Sequence, residues 1–405
     1  MDLTALSQNY SKLISYMEAQ GYSKSYIYMV RTEVDHILLH ADSNTWNSYL
    51  DIYQEYKGRS KSSHVRKATV IGLIARFDVE GLYPDGRRRH RLWKRTAYEK
   101  LLPEFKGLVD FYNALPCVSE LREKTVRSSS SCISSFLLFL QGIGCFQLSD
   151  ITETHVLQYF SEDGSVPNKS AGHKNRIRAA LSACAGYSVH CIRITAFFPP
   201  IHNRRKNIQY ITEGEIASLK SCAEADNFPK RDRAIIYLLI YTGLRACDIA
   251  GLTFSSLDWV SDRILIKQQK TDVPLELPLT PLIGNVIFDY LREERPDNPD
   301  THIFLRKVCP YTPLTSNGIG SLITRIMKTS GIRQQTGDRK GSHIFRHHAV
   351  TAMLGKGVPR PVISKAMGHT AADSVEPYFY ANFPHLKACA LSIEKYPVRE
   401  EVFAV

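Results

Sequence analysis

Apolar residues along most of this chain recur at three- and four-residue intervals, so the pattern predicts helices nearly throughout. Leu3, Leu6, Tyr10, Leu13 and Met17 fall on one helical face, and a second run follows the turn at Gly21, from Ser25 to Leu39. A further helical block extends from Tyr98 to about Val189. It holds the serine-rich but amphipathic TVRSSSSCISSFLLFLQ, then LSDITETHVLQYFS, where Ser149 or Asp150 is placed to cap a helix. HKNRIRAALSACAGYS reads as a helix with Lys174, Arg176 and Arg178 on a basic face. In ITEGEIASLKSCA, Thr212 is the expected N-cap, and Glu215 three residues on completes a capping box. DRAIIYLLIYTG is a buried helix and GLRACDIAGL opens another. The period then shortens to two. DRILIK and the proline-bracketed PLELPL read as strands joined by the polar QQKTD, a small antiparallel sheet inside a helical domain. From Thr315 to Lys395 the helical period returns. The fold class is therefore mainly α, with a small antiparallel β-sheet in the C-terminal domain.

Breaks in this pattern divide the chain. FFPPIHNRRKN is the clearest boundary, since two prolines stop the helix and Arg204, Arg205 and Lys206 follow. GRRRHRLWKR, residues 86 to 95, is a second basic stretch, either a solvated linker or one laid on phosphates. The expected domains are residues 1–85, 96–200 and 207–405. SKSYIYMVRTEVDHILLHA with NTWNSYLDIY has the rhythm of EKTVRSSSSCISSFLLFLQ with ITETHVLQYF, so the first domain reads either as a divergent duplicate of the second or as a chance likeness between helical pairs.

Composition sharpens this picture only in part. At 405 residues the chain is long for one core. Its formal net charge of +12 favours a polyanionic partner, most often nucleic acid. The 9 cysteines form no CxxC pair, which suits reduced thiols. With no secretory start and no apolar run long enough for a bilayer, a soluble cytoplasmic protein is expected.

Candidate chemistry gathers in the last two-fifths: Arg245, Lys270, His343, Arg346, His369 and Tyr378. Cleaving a phosphodiester without a metal needs cations on the non-bridging oxygens, a nucleophile, and an acid for the leaving oxygen. Arginine suits the first task, because its planar fork donates two parallel hydrogen bonds and stays charged. Arg346 lies three residues after His343, on one helical face. A lysine in a hairpin turn, Lys270 or its competitor Lys267, can serve as the acid. A phenol becomes a nucleophile once cations stabilise the phenolate. His343 and His347 are spaced like a zinc pair, but no Glu follows His343 as HExxH requires. No phosphate-binding glycine loop or carboxylate metal cluster is visible, so no cofactor and no metal are expected.

The strings TGLRACDIAGL, IKQQKTDVPLELPL, HIFRHHAV and MGHTAADSVEPYFYAN resemble those of the tyrosine recombinases, the phage-type integrases and Xer-type resolvases. The resemblance is strong over the C-terminal half and weak over the middle. It implies a catalytic fold preceded by helical SAM-like core-binding units that clamp DNA. It favours Lys270 over Lys267 by the distance to Pro278, gives Asp248 an orienting role toward Arg245, makes His343 a general base or phosphate donor, and leaves His347 structural. His369 stands where the family has His or Trp. Tyr378, nine residues on, matches the nucleophile, with Tyr380 as competitor. EPYFYAN departs from the usual tail by placing Pro377 before the tyrosine.

The implied activity is site-specific recombination or integration through a 3′-phosphotyrosyl intermediate, for a mobile element. The implied partners are double-stranded DNA, a homo-tetramer on two sites and accessory DNA-bending proteins. The apolar stripe of LKACALSIEKY is expected to dock on a neighbouring protomer or on its own domain. A type IB topoisomerase and a non-catalytic DNA-binding accessory protein remain as alternatives.

Overall fold

The computed structural model describes residues 3–40, 46–56, 60–85, 92, 96–161, 169–201, 208–370 and 375–379. The basic runs at 86–95 (all but Leu92) and 202–207, Tyr380 and the apolar tail lie outside the described residues. The chain divides into two compact units. One comprises Met1–Leu13, Tyr28–Pro84 and Arg88–Arg205, the other Ile14–Ile27, Asp85–Arg87 and Lys206–Val405.

The predicted N-terminal helices are α1 (Leu3–Ala19) and α2 (Lys24–Leu39), followed by α3 (Tyr49–Gln54) and α4 (Lys61–Glu80). In the first unit, Glu33 is fully buried on α2. Its carboxylate accepts a 2.8 Å hydrogen bond from the Tyr56 hydroxyl and pairs with the Lys67 ammonium. A buried carboxylate with both partners present is stable, but removing either would strand it.

The rest of this unit is α5 (Pro103–Ala114), α6 (Pro116–Ser119), α7 (Glu123–Gly142), α8 (Glu153–Phe160), α9 (Ala171–Ala183) and α10 (His190–Ala196). Phe105, Phe136, Phe160, Ile177 and Leu181 fill its core, and Phe136 meets Tyr159 edge-on at 5.0 Å. The cap of α8 differs from expectation. Its N-cap is Thr152, whereas Asp150 accepts from the Phe146 and Gln147 amides (3.1 and 2.9 Å) and closes a short 3₁₀ turn of its own. Arg176 and Arg178 are exposed as predicted, while the Lys174 ammonium turns to the Pro199 carbonyl at 3.0 Å.

Beyond Lys206 the second unit continues with α11 (Glu213–Ala223), started by the predicted capping box: the Thr212 amide donates to Glu215 at 2.8 Å, and the Glu215 amide donates back at 3.3 Å. Next, α12 (Lys230–Thr242) runs through the core, with Ala234, Ile235, Leu238 and Leu239 fully buried. A short α13 (Ala246–Ala250) leads to a three-stranded antiparallel sheet, β1 (Leu257–Asp258), β2 (Arg263–Lys267) and β3 (Pro274–Pro278), in the order β1-β2-β3. Ile264 faces Leu277 and Ile266 faces Leu275 across β2 and β3. The two-residue β1 is too short to carry a period, and the sequence reading does not include it.

Helices α14 (Pro281–Glu293), α15 (Ser316–Thr329), α16 (His343–Gly355), α17 (Arg360–Met367) and α18 (Glu376–Phe379) complete the unit. α12 packs against α14 and α16. A smaller cluster of Val350, Ile363, Met367, Val375 and Tyr378 holds the last helices together. No helix among the described residues is long and apolar enough to cross a membrane.

Candidate active site

The C-terminal end of α12 sets the site. Gly243 ends the helix in the left-handed region (φ 61°), and a Cβ there would lie 2.9 Å from that of Ala349 on α16. This close approach brings the next residues against the first turns of α16. Arg245 then caps α13, and its side chain is only 10% exposed. Its Nη1 donates to Gln268 Oε1 at 2.5 Å and stands 3.9 Å from Asp248 Oδ2.

Arg346 approaches from α16 and is 4% exposed. Its guanidinium donates to two main-chain carbonyls, Gly243 O at 3.3 Å and Met367 O. Burial, and then the charge of Arg245, pulls its pKa down to about 10. The structure thus brings together two buried guanidinium groups close enough to repel one another. An anion between them would relieve that repulsion.

The sequence reading gave Asp248 the task of holding Arg245. The ion pair is loose, and Oδ2 has no hydrogen-bond partner among the described residues. The other oxygen, Oδ1, accepts from the Gln269 amide at 2.9 Å, so the carboxylate also anchors the hairpin that carries Lys270. Lys270 is exposed in the turn after β2. Its charge, with those of Arg346, Arg245 and Arg339, acts on His343, which burial first pushes below the usual imidazole range.

His343, Arg346 and His347 share one face of the first turns of α16, and the rings of His343 and His347 stack at 6.2 Å. Burial and nearby cations depress His347 to about 4, as they do His369. All three imidazoles are therefore neutral near pH 7. His369 follows Gly368, which ends α17 at φ 59°; its Nδ1 is buried without a hydrogen-bond partner among the described residues. The Tyr378 side chain, on α18, is buried, and its hydroxyl lies 2.8 Å from His347 Nδ1. Burial raises its pKa, opposed by Arg346 and Arg245.

Two residues at the centre of this arrangement carry no strong signal in the sequence. His347 reads as structural because its partner is 31 positions away. Gln268 reads as one polar hairpin residue among several, yet it is fully buried between Arg245 and Met367. Among the described residues, no group of three His, Cys, Asp or Glu side chains forms a metal site.

Chemically, two forked cations, an exposed ammonium, neutral imidazoles and a phenol suit binding and displacement at a phosphoryl group. Comparison with known proteins agrees. The pattern of the Phage integrase family matches residues 209–385. The putative integrase/recombinase y4gC of Sinorhizobium fredii is 33% identical over 181 residues, covering 44% of this chain and 92% of that protein. Tyrosine recombinase XerA of Pyrococcus furiosus is 25% identical over 289 residues, 66% of this chain and 94% of its own. Among solved structures, XerH site-specific recombinase bound to its difH substrate in a pre-cleavage complex superposes with a TM-score of 0.52 at 19% identity, covering 75% of this chain and 98% of that one. A lambda integrase dimer bound to a COC′ core site gives 0.52 at 18%, covering 79% and 88%. At these identities the structural likeness speaks for the fold.

Proposed function

This chain belongs to the Phage integrase family, the tyrosine recombinases, and we propose on that premise that it cleaves and rejoins DNA at specific sites through a covalent bond to Tyr378. The observation that carries this reading is the pair of buried guanidinium groups, Arg245 and Arg346, held beside a buried phenol whose hydroxyl already contacts an imidazole.

In this mechanism the arginines, with His343 and His369, hold the non-bridging oxygens of the scissile phosphate. Their donors are fixed before the reaction, so they stabilise the charge that builds up in the transition state at little reorganisation cost. His347 orients the Tyr378 hydroxyl and accepts its proton once the bound phosphate offsets the cations that, with burial, hold this imidazole near 4 in the free protein. The phenolate oxygen bonds to phosphorus as the bond to the 5′-oxygen breaks, and Lys270 gives that oxygen its proton. A 3′-phosphotyrosyl bond and a free 5′-hydroxyl result. Attack by a 5′-hydroxyl from a second duplex reverses these steps and rejoins the strand with no net change in phosphodiester bonds.

Residues 96–200 are read as a helical DNA-clamping domain ahead of the catalytic domain at 207–405, and residues 1–85 as a further helical domain. The exposed Arg176 and Arg178 on α9 support the first of these. We place the protein in the cytoplasm as a homo-tetramer on two DNA sites, serving a mobile element with accessory bending proteins.

The test begins by mapping the DNA that the purified protein retains from its host. Two duplexes carrying that sequence are then incubated with it in EDTA without nucleotide. Exchange of strands between the two is the expected result. Relaxation of any supercoiled plasmid without exchange would point to a topoisomerase instead, and binding without cleavage to an accessory role.

A further inference from the structure

Gln268 stands where β2 gives way to the turn that carries Lys270. Its backbone closes that turn: the Gln268 amide donates to the Val273 carbonyl, and the Gln268 carbonyl accepts from the Asp272 amide, both at 2.9 Å. Its side chain is completely buried, and both its oxygen and its nitrogen are bonded. Oε1 accepts from Arg245 Nη1 at 2.5 Å and from the Thr271 hydroxyl at 2.8 Å, while Nε2 donates to the Met367 carbonyl at 3.0 Å. Only one orientation of the amide satisfies all three partners, because guanidinium only donates and a carbonyl only accepts. The same Met367 carbonyl accepts from Arg346. Gly368 leaves room for the amide, since a Cβ there would lie within 2.5 to 2.8 Å of its Oε1, Cδ and Nε2.

We propose that Gln268 is a positioning residue, one amide that latches the hairpin of Lys270 to Arg245 and to the end of α17 from which His369 projects. This rests on the recombinase reading and adds to it that the leaving-group acid and the phosphate-holding arginine are placed together. Three physical points support the assignment. The amide is neutral, so it holds Arg245 without cancelling the charge that phosphate must feel. Its acceptor is shared between the arginine and the hairpin residue next to Lys270, so losing it frees both at once. Its donor ends on the carbonyl that Arg346 also grips, which ties the second arginine to the same point. A leucine here would leave Arg245 Nη1 and the Thr271 hydroxyl without their buried acceptor.

The test compares Gln268→Leu and the near-isosteric Gln268→Glu with Lys270→Ala in the full chain. Two nicked substrates are used, one with the natural 5′-oxygen at the scissile bond and one with sulfur in its place. A thiolate leaves without being protonated, since a thiol has a pKa of about 8.5, so sulfur bypasses the acid but not the arginines. On oxygen, both Gln268 variants are expected to form the covalent adduct about 100-fold slower, at the scale of losing one transition-state donor. DNA affinity should stay within about threefold of the parent, as expected for a group that acts on the transition state. Sulfur should restore part of that loss in the Gln268 variants and most of it in Lys270→Ala. Parent-like rates in both Gln268 variants would overturn the proposal. So would equal loss on both substrates while Lys270→Ala is rescued, which would leave Gln268 no link to the lysine. If Lys270→Ala itself is not rescued, the acid assigned to Lys270 fails, and the lysine half of the latch fails with it. The arginine half is then judged by whether Gln268→Glu matches Arg245→Ala on the sulfur substrate.

Discussion

The two ends of α12 treat buried arginine in opposite ways. At its start, Arg231 is 7% exposed and donates from Nε and Nη2 to Asp232 Oδ1 (3.0 and 2.8 Å), with Nη1 on the Leu305 carbonyl at 3.0 Å. Asp232 also accepts from Arg325 at 2.8 Å. Here the guanidinium charge is met by a carboxylate in contact, which is how a buried ion is made tolerable. At the other end, among the described residues Arg346 donates only to carbonyl oxygens and Arg245 to an amide, with the nearest Asp248 oxygen 3.9 Å from Arg245. The first arrangement is complete in itself, and the second is completed by an anion. A buried arginine therefore marks a binding site when its hydrogen bonds are satisfied but its charge is not.

Replacing the arginines breaks this comparison most directly. Arg346→Met and Arg245→Met should each slow covalent adduct formation by on the order of a hundredfold or more, with far smaller changes in DNA affinity. Equal losses in binding and cleavage, measured by gel shift and by adduct yield over time, would make them ordinary phosphate anchors. Stability should divide the other way. Arg231→Met strands Asp232 with Arg325 alone and should cost about 3 kcal/mol, the lower end for breaking a buried pair. Arg346→Met removes a charge with no carboxylate in contact among the described residues and should cost about 1 kcal/mol or less. Urea melts of the two variants would decide this, and a larger loss for Arg346→Met would contradict the contrast.

A smaller effect should appear with pH. His347 and His369 are both held near 4 by burial and by neighbouring cations, while in the unfolded chain each titrates at about 6.5. Above about 6.5 both states are neutral and stability is intact. Between about 6.5 and 4 the unfolded chain gains protons that the folded one refuses, so stability falls with pH. The melting temperature should drop by roughly 5 °C over that window, and less in His347→Asn with His369→Asn. An unchanged slope in the double variant would mean that the two imidazoles are not the groups responsible.

The sequence made the local parts of this site legible and missed the long-range ones. His343 and Arg346 are one helical turn apart, so a short string suffices to pair them. The Thr212–Glu215 box and the β2–β3 hairpin are local for the same reason. Gln268 acts across 23 residues to Arg245 and 99 to Met367, and no periodicity reports such distances. The resemblance assigns Asp248, three residues on, to Arg245, yet its shorter contact is to the hairpin amide of Gln269. The helix cap at Ser149 or Asp150 was misplaced because two capping signals lie within a few residues, and a 3₁₀ turn took the first.

The most direct test of the whole account is the identity of the residue that becomes joined to DNA. Protein should be trapped on a nicked substrate that releases its 5′-hydroxyl fragment, digested, and the peptide bearing the nucleotide sequenced by mass spectrometry. The account predicts a 3′-phosphate ester on Tyr378, and no denaturant-resistant adduct from Tyr378→Phe under the same conditions. An adduct on Tyr380, or an adduct that survives Tyr378→Phe, would contradict it.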